Sequence, residues 1–295
     1  MAVRELFVCV KPALAIAGPL ELLPGGQALA PSCRQWVVNE ADSFALEAAL
    51  RLRESGAVQQ VTCITAGPRT TTAMLAWCVA MGADRRVHIP VGEDAVLDSY
   101  AIGALLGAAI RHLGGRLVFT AQRSDDGRSG MVPAALAHVL GAAYLSNAAT
   151  ATLVDERVAI QRRLERGHRQ VWAAALPAVV AVEPGATIPR YVSVAALLLA
   201  QRHVVEELTP AMFGANVAAV PPPTTLRRLV PPRLRPKKIA TPASGQSAAD
   251  RLQMIMSGGM GENREKKVLK GAPAQLAMAV INLLRERQIL GNAGR

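Results

Sequence analysis

The segment RLVFTAQRSDDGRSGMVPAALAHVLG, residues 116–141, contains the unit that decides the fold of this chain. Its first seven residues form a mostly apolar run that predicts a buried strand, and MVPAALAHVLG predicts a helix. The loop QRSDDGRSG (122–130) joins them, and two aspartates and two arginines crowd into its nine residues. Such a loop is either a surface turn or a loop that wraps a phosphate group.

Three more strands and three more helices precede this unit. The first helix has an apolar stripe on one face, with Asp42 or Ser43 as its cap and Gly56 at its end. Alternation of strands and helices requires crossover connections. It therefore predicts an α/β fold with a doubly wound, mostly parallel sheet. The strands are predicted at 5–12, 59–68 and 85–91, and the helices from Asp42 or Ser43 to Gly56, at 69–84 and at 97–115.

The pattern changes after residue 144. Two charged strands are predicted on either side of a turn at Arg166–Gly167. An apolar strand at 177–182 and a short helix follow, and they complete a domain of residues 1–205. Residues 206–295 are predicted to form a Pro/Arg-rich arm that docks on a partner subunit. An amphipathic helix at about 273–289 ends this arm.

Ligands of such sheets bind outside the carboxyl ends of the strands, which makes three strand ends candidates: Cys9–Pro12, Thr65–Pro68 and Thr120–Gly130. In the third, glycines let the backbone approach a ligand closely, and a helix N-terminus follows. The loop also offers the hydroxyl of Ser129 and the charge of Arg128. The two aspartates do not favour phosphate, and they either bind backbone or ribose groups or only hold the turn.

The bulk composition excludes several classes of protein. The formal charge is +11, but the densest basic run (221–238) has six Arg or Lys, six Pro and no aromatic residue. This run predicts a docking arm, and no nucleic acid partner, because base stacking calls for interleaved aromatic residues. No stretch is an uninterrupted membrane span and none resembles a signal peptide, so we expect a cytoplasmic protein without membrane insertion.

No catalytic constellation is visible in the sequence. The five histidines are scattered, and the four cysteines lack metal-ligand spacing, so no metal site is expected. The segment SGGMGEN (257–263) has the start of a pyrophosphate loop, but its position after a predicted helix favours a helix stop. The chain is therefore expected to be a non-catalytic subunit more than an enzyme in its own right.

Seven short motifs in register resemble the β subunit of electron-transfer flavoproteins, the family that includes the FixA-type subunits. The resemblance covers roughly residues 3–202, and the arm beyond it is longer than is usual in the family. The motifs are VCVKP (8–12), VNEADSFALEAALRL (38–52), ITAGP (64–68), AMGAD (80–84), QxxDDGxSG (122–130), LPAVVAV (176–182) and PRYVSV (189–194).

This resemblance implies a three-layer Rossmann-type domain like that of the adenine-nucleotide α-hydrolases. It also implies a heterodimer with an α subunit that holds the redox FAD, partly shared with this chain. The β subunit itself binds AMP or, in some members, a second FAD. Electrons pass from a flavin dehydrogenase or another redox partner to a downstream acceptor. The implied nucleotide-binding residues are Cys9, Asn39, Glu40, Ala41, Asp42, Ala66, Gln122, Arg123, Ser124, Asp125, Asp126, Gly127, Arg128, Ser129 and Gly130.

Three departures from the family pattern affect these expectations. The loop 122–130 is about two residues shorter than usual, and Ala186–Ile188 stands where the family has Leu-Asn-Glu before PRY. The Lys-rich tail of the next helix has become Gln201–His203. We infer a different redox partner. The alternative function is a free-standing adenine-nucleotide-binding module or hydrolase, and a DNA-binding arm is a third possibility.

Overall fold

One sheet of nine strands organises the computed structural model, which describes residues 3–24, 29–92, 97–214, 247–249, 251–252 and 271–286. The strands are β1 (Val3–Cys9), β2 (Pro12–Ile16), β3 (Arg34–Val38), β4 (Val58–Gly67), β5 (Arg85–Pro90), β6 (Leu117–Ala121), β7 (Ala143–Val154), β8 (Arg157–Arg163), β9 (Arg169–Ala175), β10 (Ala178–Val182) and β11 (Glu206–Glu207). The helices are α1 (Glu40–Glu54), α2 (Leu75–Met81), α3 (Ser99–His112), α4 (Val132–Leu140), α5 (Val194–Ala200) and α6 (Pro273–Glu286).

The sheet confirms the predicted α/β fold class. Its strand order is β11-β5-β4-β1-β6-β10-β7-β8-β9, and the seven strands from β11 to β7 run parallel. The chain builds outward from β1 in one direction through β4 and β5, and then in the other through β6. The strand order therefore reverses between β1 and β6, the position where doubly wound sheets bind their ligands.

Alternate residues of the central strands fill two apolar layers. Along β1, Leu6 and Val8 face the layer that includes α1 and α2, whereas Phe7 and Cys9 face the layer that includes α3 and α4. All four are buried. Because both faces of the sheet are covered, its strands read as nearly continuous apolar runs, which is why the sequence predicted them.

The region after residue 144 differs from the prediction. Three strands, β7 to β9, form an antiparallel extension where two were predicted, and β10 returns between β6 and β7. The predicted turn is present, with Arg166 at φ 57° and Gly167 at φ 80°. β7 was missed because its sequence, AYLSNAATATLV, consists largely of small residues that give only a weak apolar pattern.

The start of α1 was predicted incorrectly, and the strand ahead of it was not predicted. Trp36–Val38 belongs to β3, which pairs with β2 in a separate two-stranded antiparallel sheet. The helix begins at Glu40 with Asn39 as its N-cap, so the predicted caps, Asp42 and Ser43, lie within its first turn. Gly56, at φ 78°, follows the helix end as expected.

The loop before α5 is tied to α1 by one guanidinium. Arg190 Nε lies 2.8 Å from Glu47 Oε2, and Nη1 lies 2.7 Å from Glu54 Oε1. Burial alone would raise the pKa of Glu47, but hydrogen bonds from Arg190 and Arg51 outweigh it and lower that pKa. Arg190 therefore anchors its own loop to α1.

Contacts divide the chain into two units, residues 1–231 and 232–295. The predicted boundary at residue 205 falls one residue before β11, and Leu208 beyond it is buried. In the second unit, α6 begins at Pro273 as predicted and ends at Glu286. The basic run at 221–238 and the segment 257–263 lie outside the described residues. No described helix combines the length and the apolar character needed to cross a membrane.

Helices α3 and α4 touch through two glycines of α3. A Cβ added at Gly103 would lie 2.6 Å from Ala135 Cβ and 2.9 Å from the carbonyl oxygen of Val132, and a Cβ at Gly107 would meet Val139. The backbones of the two helices are therefore closer than side chains would allow. This close approach also fixes where the N-termini of the two helices stand.

We predict that Gly103→Ala destabilises the chain by about 1–2 kcal/mol in urea unfolding. Overpacking against α4 costs about 1–3 kcal/mol, and the better helix propensity of alanine offsets up to about 1 kcal/mol. Gly92→Ala is the matched control, because its added Cβ meets nothing within 4 Å and its change should stay within about 0.5 kcal/mol. An unchanged or higher stability of Gly103→Ala would contradict the packing described.

Candidate functional site

A cavity of about 330 Å³ opens at the carboxyl edge of the sheet, where the strand order reverses. The ends of β1, β4 and β6 form its floor, and the first residues of α3 and α4 form one wall. Its volume lies at the lower end of the range for small-molecule sites. The three strand ends identified from the sequence all contribute to this cavity.

The first turn of α1 joins two of these strand ends. Asp42 Oδ2 accepts a hydrogen bond from the backbone N–H of Lys11 at 2.7 Å, just after β1. Asn39 Oδ1 accepts one from the backbone N–H of Asp125 at 2.9 Å, in the loop after β6. Both side chains are almost fully buried, so these bonds hold the cavity edge in one arrangement.

Asp42 is the most strongly perturbed acid of the cavity. Burial raises the pKa of its carboxyl group to about 7, although hydrogen bonds from Lys11, Asn39 and the backbone of Ala121 favour the ionised form. The neighbouring thiol of Cys9 has a pKa raised by burial first and by the charge of Asp42 second. Both effects favour the protonated form of the Cys9 thiol.

An ion pair and several hydrogen bonds hold the loop 122–130 in place. Asp126 pairs with the ammonium of Lys11 and accepts a hydrogen bond from the backbone N–H of Gly127. Burial alone would raise the pKa of Asp126, but these partners lower it. Gln122 turns away from the cavity, since its side chain contacts Tyr144 and the backbone N–H of Asn147. The side chain of Asp126 thus holds the turn, and Asp125 takes part through its backbone N–H.

Two helix N-termini meet beside this loop. Ser99 is the first residue of α3, and its hydroxyl lies 2.7 Å from the hydroxyl of Ser129, three residues before α4. Both hydroxyls line the cavity. Asp98 caps α3 by accepting a hydrogen bond from the backbone N–H of Ala101 at 2.9 Å. The positive ends of the two helix dipoles favour an anionic ligand group beside the two hydroxyls.

Arg123 supplies a cation that pairs with no described residue. Its side chain lines the cavity, and it makes no hydrogen bond or ion pair with any residue in the part of the chain described. Lys11, by contrast, is already paired with Asp126. Arg128 points elsewhere, with its Nε bonded to the carbonyl oxygen of Asp125 at 3.3 Å.

The structure separates the predicted site residues into two groups. Those that line the cavity are Cys9, Asn39, Asp42, Ala66, Arg123, Ser124, Asp126, Ser129 and Gly130. Those that do not are Glu40, Ala41, Gln122, Asp125, Gly127 and Arg128, of which Asp125 and Gly127 contribute backbone N–H bonds that shape the loop.

Further lining residues were not on the predicted list. The most prominent are Lys11, Leu14, Trp36, Leu97, Ser99 and Ile102. Lys11 belongs to a strand end that the sequence did identify. Leu14 and Trp36 come from the β2–β3 hairpin, which was not predicted.

No histidine is among the described residues that line the cavity. His88, in β5, is fully buried, bonds Gly67 O through Nε2 and is not a lining residue. Among the described residues, no group of three or more His, Cys, Asp or Glu side chains could hold a metal ion.

Comparison with known proteins identifies the family of the chain. The sequence matches the electron transfer flavoprotein domain over residues 29–212. The chain belongs to the electron transfer flavoprotein domain family. Its curated relatives show that it is of the β-subunit type, which confirms the resemblance seen in the sequence.

Three relatives illustrate the range of the family. The electron transfer flavoprotein subunit beta of Mycobacterium leprae is 33% identical over 62% of this chain and 71% of its own length. That of Methylophilus methylotrophus is 28% identical over 83% and 95%. The acryloyl-CoA reductase electron transfer subunit gamma of Anaerotignum propionicum is 28% identical over 64% and 71%.

The raised pKa of Asp42 predicts a particular dependence of stability on pH. Its pKa is about 7 in the folded chain against an ordinary 3.8, so the folded state holds the proton more tightly between these values. The contribution of Asp42 is therefore largest below pH 3.8 and is lost as the pH rises through about 7. We expect wild type to lose roughly 2 kcal/mol relative to Asp42→Asn between pH 5 and pH 7.

Urea unfolding of both chains across this pH range measures the effect. Asp155→Asn is the control, since Asp155 is exposed in the turn between β7 and β8 and asparagine tolerates its φ of 46°. A stability difference between wild type and Asp42→Asn that stays constant with pH would show that Asp42 is ionised in the folded chain throughout.

Proposed function

We propose that this chain is the β subunit of an electron-transfer flavoprotein heterodimer and that its cavity holds a structural AMP or the AMP portion of a second FAD. The chain binds a nucleotide and fixes its geometry, and it carries out no chemistry of its own. The redox FAD is shared with an α subunit and supplies the one-electron chemistry of the complex. Family membership supports the electron-transfer role, and the cavity supports the nucleotide.

Arg123 is the observation that carries the proposal. A cavity-lining guanidinium that has no carboxylate partner among the described residues is the group expected to receive a phosphate. The hydroxyls of Ser99 and Ser129 and the N-termini of α3 and α4 stand at the same cavity and add hydrogen-bond donors. Phosphate oxygens are acceptors only, so all these groups match them.

The other polar residues set the position of this phosphate site. Lys11 is held by Asp126, and Asn39 holds the backbone of Asp125, so the loop keeps its shape before a ligand arrives. Pre-organisation of this kind lowers the entropy that binding must overcome. The predicted roles of Cys9 and Ala66 fit the cavity floor, where small side chains leave room for the ligand.

The partners follow from the same assignment. We propose an α subunit as the obligate partner and a flavin dehydrogenase or other redox protein as the electron donor. The docking arm predicted at 206–295 is proposed for the second unit, residues 232–295, because β11 and Leu208 belong to the first. Exposed apolar residues on α6, including Met278, Val280 and Leu283, support a docking role for that helix. The four described cysteines are free thiols, which supports a reducing, cytoplasmic setting.

The alternative of a free-standing hydrolase has no support in the cavity. The Cys9 thiol is kept protonated, and no histidine lines the cavity within the described part of the chain. The relatives bear electron-transfer names as well.

We predict that Arg123→Gln weakens AMP binding by the full chain roughly 10- to 100-fold, because a charge-assisted hydrogen bond to phosphate is worth about 1.5–3 kcal/mol. Adenosine, which lacks the phosphate, should bind the variant and wild type equally. Calorimetric titration of chain stripped of nucleotide measures both affinities.

Arg111→Gln is the matched control, because it removes the same charge from the exposed end of α3. It should leave AMP affinity within about twofold, since screened charges at this distance act weakly. Equal AMP affinity of Arg123→Gln and wild type would remove Arg123 from the phosphate site. A wild-type chain that binds no AMP would refute the nucleotide site itself.

A further inference from the structure

Trp36 is the one aromatic side chain among the described residues that line the cavity. The other apolar lining residues are aliphatic, and the whole sequence has only three tryptophans. Because only 3% of the residues are aromatic, an indole at the cavity suggests a role in ligand binding. It is half-buried, so part of its surface is available to a ligand.

The β2–β3 hairpin aims Trp36 at the cavity. Trp36 and Leu14 are directly opposite in the antiparallel register, and residues so paired project from the same face. Both line the cavity, as does Pro12, two residues before Leu14. Ala13 and Val37, which alternate with them, are not lining residues. The hairpin thus presents one consistent face to the ligand.

The two ends of the hairpin adjoin Lys11 and Asn39, which also shape the phosphate site. β2 starts directly after Lys11, whose N–H is held by Asp42, and β3 ends directly before Asn39. The backbone N–H of Asn39 also donates to the carbonyl oxygen of Lys11 at 3.2 Å. Trp36 therefore stands at a fixed place relative to the loop 122–130 and does not need to move to meet a ligand.

The cavity has a polar part and an apolar part, and a nucleotide likewise has a polar phosphate and a flat, largely apolar base. The donors Arg123, Ser99 and Ser129 suit phosphate, whereas the aliphatic side chains and Trp36 suit a flat, apolar ring. Aromatic faces and purine rings stack favourably, and the stack is strongest where water is excluded. Leucine and isoleucine contact a ring but offer no π face.

We propose that Trp36 forms the stacking wall for the adenine ring of the nucleotide bound by this chain. The inference rests on the proposed function and goes beyond it, because it assigns recognition of the base to a residue of the hairpin. Adenine is common to AMP and FAD, so the assignment holds for either nucleotide.

Binding of AMP and of ribose 5-phosphate by the full chain tests this, with Trp36→Leu and Trp36→Phe as variants. Trp36→Leu removes the ring but keeps an apolar side chain, and AMP affinity should fall roughly 5- to 100-fold. Ribose 5-phosphate has no base, so its affinity should not change. Trp36→Phe keeps a ring and should retain AMP affinity within about threefold.

Tryptophan fluorescence gives a second readout that needs no variant. Stacking on adenine should quench Trp36 when AMP, but not ribose 5-phosphate, saturates the wild-type chain. Trp172→Phe is the matched control, since Trp172 lies in β9, away from the cavity, and its removal should leave the quenching intact. Trp36→Phe should abolish the quenching.

The outcomes separate the two proposals. If wild type binds neither AMP nor FAD, the proposed function fails. If wild type binds AMP without quenching, or if Trp36→Leu binds AMP as tightly as wild type, the stacking wall is refuted while the nucleotide site stands. Equal losses for AMP and ribose 5-phosphate in Trp36→Leu would also refute it, because they would show a collapsed cavity instead of a lost stack.

Discussion

The rest of the site depends on two hydrogen bonds accepted by side chains at the start of α1. The carboxyl ends of parallel strands leave backbone N–H groups without ladder partners, and two buried side chains of this turn accept hydrogen bonds from them. Asp42 bonds to Lys11 after β1, and Asn39 bonds to Asp125 after β6. The loops that follow the two strands flanking the reversal of strand order are thereby fixed, and residues of both loops line the cavity. The pKa of Asp42 is raised because its carboxyl group is buried where it makes this hydrogen bond.

The sequence predicted the parts of the fold whose residues are buried on both sides. β1, β4, β5 and β6 gave continuous apolar runs because helices cover both faces of the sheet. β7 was missed, since small residues dominate it and strand pairing, more than side-chain burial, holds it in place. The β2–β3 hairpin was missed for another reason. Its strands are five residues each and are separated by a long segment, so no turn signal links them.

The sequence predicted where the candidate site lies, but not which side chains line it. Strand ends of parallel sheets converge, which brought three predicted segments to one cavity. The direction of each side chain depends on the local backbone, and this turned Gln122 toward Tyr144 and Arg128 toward its own loop. Ser99 and Trp36 reach the cavity through a helix N-terminus and a hairpin whose positions follow only from tertiary packing.

The nucleotide content of the assembled complex tests the central claim most directly. The full chain would be purified together with its α subunit, the complex denatured, and the released adenylate and flavin counted per complex. We predict a yellow complex that releases one redox FAD together with either one AMP or a second FAD. Release of the redox FAD alone, or of no nucleotide, would contradict the claim that the carboxyl edge of this sheet, beside Arg123, holds an adenylate.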